Sequence, residues 1–344
     1  MLEIRENVDI REHCTLRVGG QFRYFLEVSE KSHINQAINW AKEKSIRVLV
    51  LGGGSNMVFP GGVLEVLAMK MKILGFEKVV ERDDHVDIKI GAGEDWDSVV
   101  ARAVDMSLSG IEALSAIPGT AGATPVQNVG AYGQEIADTL TSLEVFDKSA
   151  QEIKILSKSE CKFGYRDSIF KNDPPTGGKD KYVILSITLR LSKKEPQMPD
   201  YPGVKSYFAE KGVSSPSLQE IREAIIYIRS NKLPDPKIVA NVGSFFKNPI
   251  VPKDVADRIK SEYPKVTIFE VDSEHSKVPA GFLIEACGLK GINFGKVSVY
   301  PNNAMVLVNE GGALRSDIEH TRDEIIKAVY EKFGLKIETE PEFI

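Results

Sequence analysis

Apolar and polar residues alternate along this chain with two periods, which predict helices and strands in mixed order. Apolar residues recur every third or fourth position in residues 29–44 and in residues 95–107, as on the buried face of an amphipathic helix. A short apolar run, "IRVLVL", follows the first of these helices. Residues 85–90 and residues 182–191 alternate apolar with polar positions, as strands do. This mixture predicts an α+β fold.

Two polar pairs indicate helix starts, and one long stretch breaks the periodic pattern. Residues 192–216 are rich in Pro, Gly, Ser and Lys, and they predict a domain boundary or a mobile loop. Ser217 with Glu220 matches a capping box and predicts a helix directly after it. Ser316 with Glu319 predicts a capping box for the last helix of the chain.

Composition excludes several classes of protein. The 344 residues are 42% hydrophobic and 27% charged, and 44 basic against 49 acidic side chains leave a net charge of −5. This balance gives no electrostatic reason to expect binding to nucleic acid or to an anionic membrane. The first residues lack the apolar core of a signal peptide, and no apolar run reaches the roughly 18 residues of a membrane span. We expect a cytoplasmic protein.

The cysteines and histidines do not predict a metal site. Cys14, Cys161 and Cys287 are far apart and odd in number, so they form neither a disulfide framework nor a CxxC knuckle within the chain. The five histidines are scattered and show no metal-ligand spacing. We therefore expect no metal.

Two glycine-rich stretches are candidate ligand loops. "LGGGSN" (Leu51 to Asn56) follows a predicted strand and exposes several main-chain N–H groups, which can hold a phosphate. Alone it is more often an ordinary glycine turn, and it matches neither the P-loop nor the dinucleotide fingerprint. "IPGTAGATPVQNVGAYG" (Ile117 to Gly133) mixes bare backbone with polar side chains. It suits a flat, polar-edged ligand such as a flavin with its pyrophosphate, or another ligand held by a compact loop.

Several polar residues allow both a functional and a structural interpretation. Arg166 lies among aromatic residues and would either clamp a carboxylate or pair structurally with an aspartate. Ser244, in "NVGSFFKNP", would be a turn cap or a proton donor in a closed pocket. Lys232 and Asn248 would bind a diphosphate or face solvent. Glu342 lies in an acidic tail whose default interpretation is a frayed end.

Nine stretches together resemble one known family, and they occur in that family's order. They span residues 15–342 and read "TLRVGG", "LGGGSNMVF", "IPGTAGATPVQNVGAYG", "CKFGYRDSIFK", "KLPDPK", "NVGSFFKNP", "AGFLIEACGLKG", "NNAMVLVN" and "EPE". They resemble the UDP-N-acetylenolpyruvoylglucosamine reductase (MurB) family of peptidoglycan synthesis. The insert around Tyr201 resembles the subtype that covers its substrate with a tyrosine-bearing loop.

The resemblance implies a fold and a domain order. The fold is the FAD-binding fold of the vanillyl-alcohol-oxidase type, with two α/β subdomains, plus a separate α+β substrate-binding domain. The implied boundaries are residues 1–70 and 71–200 for the two FAD-binding subdomains and 201–330 for the substrate domain. Residues 331–344 would be a tail that returns to the active site. FAD would be bound non-covalently, and NADPH would donate the electrons.

The resemblance also implies which residues form the active site. Arg166, Ser244 and Glu342 match the catalytic positions, and Tyr201, Lys232 and Asn248 match positions that hold the sugar nucleotide. The residues that would hold FAD are Gly52, Gly53, Gly54, Ser55, Asn56, Pro118, Gly119, Thr120, Gly122, Ala123, Gln127, Asn128, Gly130, Tyr132 and Gly133.

The implied reaction is the reduction of UDP-N-acetylglucosamine enolpyruvate to UDP-N-acetylmuramate. Hydride would pass from flavin N5 to the vinyl β-carbon, and Ser244 would then protonate the α-carbon. Arg166 and protonated Glu342 would face the substrate carboxylate. Two other functions compete with this one: an FAD oxidase of a hydroxy acid or sugar, and a regulator that binds a nucleotide sugar on a degenerate scaffold.

Overall fold

The computed structural model describes residues 2–171 and 180–344. The strands of these residues, in chain order, are β1 (Arg5–Asp9), β2 (Gln21–Val28), β3 (Arg47–Leu51), β4 (Met57–Val58), β5 (Val63–Met71), β6 (Phe76–Glu81), β7 (His85–Gly91), β8 (Gly130–Ala131), β9 (Gln134–Glu135), β10 (Leu140–Asp147), β11 (Glu152–Ser157), β12 (Tyr182–Ser192), β13 (Asn241–Ser244), β14 (Ile250–Pro252), β15 (Phe269–Glu270), β16 (His275–Lys277), β17 (Val297–Val299), β18 (Val306–Asn309) and β19 (Glu342–Phe343).

The α-helices of the same residues, in chain order, are α1 (Ser32–Glu43), α2 (Trp96–Asp105), α3 (Ile136–Thr139), α4 (Pro202–Glu210), α5 (Leu218–Lys232), α6 (Lys253–Glu262), α7 (Ala280–Ala286) and α8 (Arg315–Phe333). The chain divides into two compact units. The first comprises Met1–Val8, Phe22–Gly53 and Glu65–Ser230, and the second comprises Asp9–Gln21, Gly54–Leu64 and Asn231–Ile344.

The first unit is built on two sheets. One has the strand order β1-β2-β5-β3, with β3 parallel to β5. The other has the order β11-β10-β12-β7-β6 and is antiparallel throughout. Helix α1 buries Ile34, Ala37 and Ala41 in a core with residues of β2, β3 and β5, so its predicted apolar face is confirmed.

The second predicted helix and the long predicted strand are also confirmed. Helix α2 begins after Asp95, whose side chain accepts a hydrogen bond from the Ser98 amide at 2.9 Å. It buries Trp96, Val99 and Val100 in the core of the five-stranded sheet. Strand β12 lies in the middle of that sheet, which explains why nearly its whole length is buried rather than alternate residues alone.

The predicted break at residues 192–216 contains a helix, so the prediction of a loop there is wrong. Helix α4 begins with Pro202, which a helix tolerates in its first turn because the missing N–H has no intrahelical partner there. Val204 and Phe208 are four residues apart and are buried against α5. The surrounding Pro, Gly and Ser residues hid this short apolar pair in the sequence.

One predicted capping box is confirmed and the other is wrong. Ser217 and Glu220 exchange side-chain to main-chain hydrogen bonds at the start of α5, at 2.8 Å from the Ser217 amide and 3.3 Å from the Glu220 amide. Helix α8 instead begins at Arg315, and the Asp317 carboxylate accepts from the Leu314 amide at 2.7 Å. Glu319 instead forms an ion pair with Arg315 one turn away on the same helix, so its carboxylate does not cap the helix.

The second unit has small sheets packed with helices. The strand orders are β13-β18-β17, β14-β16-β15 and the parallel pair β19-β4. Its core joins Phe245, Phe246 and Val58 to apolar residues of α6, α7 and α8. The three-domain division predicted from the sequence stays a prediction, because compactness alone does not identify functional domains. Within the described residues, no helix is long and apolar enough to span a bilayer.

An ion pair joins α2 to α5 inside the first unit. Arg222 donates to the two carboxylate oxygens of Asp97 at 2.6 and 3.0 Å, and the Ala116 amide donates to the same carboxylate at 2.6 Å. Burial raises the pKa of Asp97, but the Arg222 hydrogen bonds, the Ala116 amide and the Arg222 charge outweigh it and hold the pKa below its ordinary value. The pair therefore stabilises the fold while Asp97 is ionised.

We expect Asp97→Asn to lower the free energy of unfolding by about 2 kcal/mol at neutral pH, measured by urea denaturation. Because the folded pKa lies below the unfolded one, this stabilisation is complete above the unfolded pKa and is lost as the pH falls through the folded pKa. The difference between wild type and variant should therefore shrink in acid. Asp105→Asn, an exposed change on the same helix, is the control. A difference that is constant with pH would contradict the ionic explanation.

Candidate active site

The two glycine-rich stretches predicted to bind a ligand meet in the first unit. A Cβ atom on Gly53 would lie 2.8 Å from the Cα atom of Gly119, and one on Gly52 would lie 2.7 Å from Oγ1 of Thr120. Both distances are shorter than real Cβ contacts allow, so only glycine permits the two turns to approach this closely. The glycines therefore allow the main chains of the two turns to come into contact, in addition to permitting the turn geometry.

The Thr120 hydroxyl is buried and forms no hydrogen bond with the described residues, although burial of an unpaired hydroxyl is unfavourable. It lies beside the close approach of Gly52 and Gly53. An unsatisfied donor next to bare main chain fits an anionic or polar ligand, and it fits the pyrophosphate or ring edge of FAD.

The stretch after Thr120 is tied to the loop that carries Arg166. Asn128 is fully buried, donates to the Gly164 carbonyl at 3.1 Å and accepts from the Ala137 amide at 3.1 Å. Arg166 donates from Nη2 to the Gly130 carbonyl at 2.8 Å. The Arg166 backbone has φ 54°, which a residue with a side chain seldom adopts. This backbone, locked by the Gly130 contact, holds the guanidinium in one place.

Tyr132 and Tyr201 pack against each other in the first unit. Their ring centroids are 5.1 Å apart at an interplanar angle of 82°, an edge-to-face pair. Burial raises the pKa of both phenols, so both keep their protons at neutral pH and remain hydrogen-bond donors. The structure thus places a predicted FAD-binding residue next to a predicted substrate-binding residue.

Arg229 lies beside this tyrosine pair, and sequence reasoning missed it. Burial lowers the pKa of the Arg229 guanidinium, and the Tyr132 phenol is near enough to raise that pKa by a smaller amount, yet arginine keeps its charge at any relevant pH. The Arg229 Nε atom is buried without a hydrogen-bond partner among the described residues. The spacing of the arginines could have revealed Arg229 in the sequence. Arg222 and Arg229 are seven residues apart, so they lie on the same side of α5 as its buried isoleucines.

The charges around Arg229 do not cancel. Asp97 also faces it, but both Asp97 oxygens are already bonded by Arg222. Two guanidinium groups and one carboxylate leave one positive charge in a poorly hydrated region. Such a region favours an anionic group next to the Tyr132 and Tyr201 hydroxyls.

Ser244 lies at a bulge near the end of β13 in the second unit. The pairing of β13 with β18 shifts register between Asn241 and Ser244, and Gly243 has φ 73°. Asn241 holds this geometry, because its side chain accepts from the Gly243 amide at 2.8 Å and donates to the Pro234 carbonyl at 3.1 Å. A bulge redirects a side chain out of the regular pleat. Within residues 2–171 and 180–344 the Ser244 hydroxyl has no hydrogen-bond partner.

Two phenylalanines directly after Ser244 are fully buried. Phe245 and Phe246 are each 0% exposed, and their ring centroids are 5.3 Å apart. Their burial keeps water from one side of the Ser244 strand. A hydroxyl beside an apolar surface that excludes water experiences stronger electrostatic interactions than one in water.

The acidic tail is ordered, which contradicts the default interpretation of a frayed end. The Glu342 amide donates to the Asn56 carbonyl at 2.9 Å, and β19 pairs in parallel with β4. The Asn56 side chain donates to the Glu340 carbonyl at 3.3 Å. The end of the "LGGGSN" motif therefore positions the tail that carries Glu342.

The remaining predicted substrate ligands also belong to the second unit. Asn248 accepts from the Ala280 amide at 2.9 Å, at the start of α7. Lys232 is exposed at the last position of α5. Arg166 and Tyr201 belong to the first unit, and Ser244 and Glu342 to the second. The roles of all these residues stay predictions.

Comparison with known proteins identifies two families along the chain. Residues 22–155 match the model of an FAD-binding domain. Residues 235–344 match the model of the C-terminal domain of UDP-N-acetylenolpyruvoylglucosamine reductase. The fold predicted from the sequence is confirmed, and so is FAD as its cofactor.

Similarity to named relatives extends over nearly the whole chain. The UDP-N-acetylenolpyruvoylglucosamine reductase of Flavobacterium johnsoniae is 38% identical over 340 residues, which cover 98% of this chain and 99% of the relative. That of Pseudomonas aeruginosa is 36% identical and covers 99% of this chain and 98% of the relative. The solved structure of the Thermus caldophilus reductase matches with a TM-score of 0.67 at 21% identity, covering 100% of this chain and 98% of that one.

The identity and coverage of these relatives decide the classification, and the solved structure adds support for the fold. The chain is an FAD-dependent oxidoreductase. It belongs to the UDP-N-acetylenolpyruvoylglucosamine reductase family.

Proposed function

We propose that this chain reduces UDP-N-acetylglucosamine enolpyruvate to UDP-N-acetylmuramate in the synthesis of peptidoglycan precursors. NADPH is the electron donor, and the reaction takes place in the cytoplasm. The observation that carries the proposal is the Ser244 hydroxyl, which lies on a strand bulge beside buried aromatic rings and lacks a hydrogen-bond partner among the described residues. It is available to donate a proton to a ligand.

FAD supplies the chemistry that the side chains lack, because bound reduced flavin is a hydride donor. In the first unit, Gly52, Gly53 and Thr120 hold it through main chain and hydroxyl, with further contacts from the Ile117–Gly133 stretch. Its pyrophosphate would lie against Gly53, Gly54, Ser55 and Asn56. Binding is non-covalent.

Addition of hydride to the vinyl β-carbon of the substrate leaves an electron pair on the α-carbon. This pair spreads into the adjacent carboxylate, which already carries a negative charge, so the protein must stabilise the added charge. Arg166 supplies a fixed positive charge, held in place by its bond to the Gly130 carbonyl. The Glu342 side chain acts as a hydrogen-bond donor to the same carboxylate.

Ser244 completes the reaction by giving its hydroxyl proton to the α-carbon. The new C–H bond forms as the O–H bond breaks, and solvent returns a proton to the serine oxygen. Serine is a weak acid, but the carbanion is strongly basic and the donor is already in position. The buried Phe245 and Phe246 exclude water and strengthen the local electrostatics.

The substrate diphosphate and sugar are held by Tyr201, Lys232 and Asn248. The positive charge of Arg229, next to Tyr132 and Tyr201, adds attraction for the anionic substrate. The enzyme acts on a small molecule and functions as a monomer without nucleic-acid or membrane partners.

The role of Thr120 in holding FAD predicts a loss of cofactor affinity in Thr120→Val. We expect about tenfold weaker binding of FAD to the apoprotein, as for one lost hydrogen bond, measured by quenching of flavin fluorescence. Thr139→Val is a matched control, because Thr139 also has a buried hydroxyl without a partner among the described residues. The affinity of the Thr139→Val apoprotein for FAD should stay at the wild-type value. Equal losses in both variants would contradict the assignment of Thr120.

Ser244→Ala separates proton donation from every other step. We expect flavin reduction by NADPH to keep its wild-type rate, while oxidation of the reduced flavin by the enolpyruvyl substrate slows by roughly a hundredfold or more. Anaerobic stopped-flow absorbance measures both half-reactions. Ser261→Ala, an exposed change in the same unit, is the control. Equal slowing of both half-reactions would assign Ser244 a structural role. In the wild-type enzyme, reoxidation of the reduced flavin that is faster with air than with the enolpyruvyl substrate would favour an oxidase.

A further inference from the structure

The segment from Glu338 to Ile344 pairs with two different parts of the second unit. Its first half runs antiparallel to the strand after Ser244: the Lys247 amide donates to the Glu338 carbonyl at 2.8 Å, and the Glu340 amide donates to the Phe245 carbonyl at 2.9 Å. Its second half runs parallel to β4, with Glu342 opposite Met57. This second pairing is two residues long, so contacts of its side chains add to the few main-chain bonds that hold its register.

Register matters here because Glu342 and Phe343 are neighbours on a strand. Successive side chains of a strand project to opposite faces, so a slip of one residue would turn Glu342 to the face that Phe343 now occupies. Any contact that holds the Phe343 ring on its own face also holds Glu342 on the other.

Helix α8 contacts the Phe343 ring through two arginines. The guanidinium carbon of Arg322 lies 4.9 Å from the ring centroid, and that of Arg315 lies 5.4 Å from it. These residues are seven apart, two helical turns, and so lie on one face of α8. Both distances are within the range of cation–π attraction.

Further contacts fix the ring and the arginines. Phe245, which directly follows Ser244, meets the Phe343 ring edge to face at a centroid distance of 6.2 Å. Arg315 also donates to the Ile344 main-chain oxygen at 2.5 Å. The guanidinium groups are themselves oriented by carboxylates, Arg315 by Glu319 and Arg322 by Asp323, each at 2.8 Å. The side-chain exposures of the two arginines are 28% and 23%, so solvent screens these contacts only in part.

We propose that Arg315, Arg322 and Phe343 are positioning residues that hold Glu342 in register for the reductase reaction. They act through Glu342 and do not touch the substrate. The proposal rests on the role of Glu342 stated under the proposed function, and it extends the site to a face of α8 that carries no predicted site residue.

A double-mutant cycle tests whether Arg322 acts through Glu342. Arg322→Ala is made in the wild type and in the Glu342→Ala variant, and the rate at which the enolpyruvyl substrate oxidises the reduced flavin is followed by anaerobic stopped-flow. We expect Glu342→Ala, which removes the side-chain donor, to slow this step and Arg322→Ala to slow it about tenfold in the wild type. In the Glu342→Ala background, Arg322→Ala should slow it less than about twofold, since residues that act through one another are not additive. Flavin reduction by NADPH should keep its rate in every variant.

The Phe343 ring allows a test without loss of charge. Phe343→Tyr keeps an aromatic face for the arginines and should retain the wild-type rate of substrate reduction. Phe343→Leu keeps an apolar side chain but removes that face, and it should slow the same step as Arg322→Ala does. Lys327→Ala, an exposed change on the same helix, is the control for the helix itself and should have no effect.

The possible failures are distinguishable. An equal loss from Arg322→Ala in both backgrounds, or equal slowing of both half-reactions, would overturn the positioning role and leave the proposed function in place. A wild-type rate in Glu342→Ala would overturn both the positioning role and the part of the proposed function that uses Glu342. Absence of substrate reduction in the wild-type enzyme would overturn the proposed function as a whole.

Discussion

Main-chain hydrogen bonds of the C-terminal segment are the constraint on which the candidate residues of the second unit depend. The Glu340 amide bonds the carbonyl of Phe245, the residue after Ser244, and the Glu342 amide bonds the carbonyl of Asn56. Three stretches far apart in sequence thereby share one hydrogen-bonded framework. These bonds are internal to the unit, and they tie the tail both to the residue after Ser244 and to the end of the "LGGGSN" motif.

The first unit depends on a different constraint, the approach of two glycine turns to within contact of their main chains. Gly53 and Gly119 leave no space for a side chain between them, and the unsatisfied Thr120 hydroxyl lies beside this contact. Close packing usually satisfies buried polar groups within the protein. Here the packing leaves a donor unused, as expected where a polar ligand completes the site, and FAD is the cofactor of this family.

Sequence patterns predicted most of the regular structure and missed elements whose signal was short or masked. Helices α1 and α2 and strand β12 have long periodic patterns, and each lies where its period placed it. Helix α4 has only Val204 and Phe208 as its apolar signal, among Pro, Gly and Ser residues that indicate a loop. The capping box predicted at Ser316 was wrong because Glu319 is used by Arg315, a choice that composition does not reveal. The local pattern of the tail likewise did not indicate its order, since a two-residue strand has no period of its own, and only the family resemblance implied a returning tail.

The sequence by itself determined most of the element types, the order of the motifs and the family, because periodicity and motif order are properties of local stretches read one after another. It also predicted Arg166, Ser244 and Glu342 as catalytic residues through the family resemblance. Only the tertiary structure decided that Asn241 holds the bulge before Ser244, that Arg229 lies beside Tyr132, and that Phe343 is held by two arginines of α8. Each of these depends on contacts between residues distant in the chain, and no local pattern encodes which distant groups will satisfy a buried charge or an aromatic face.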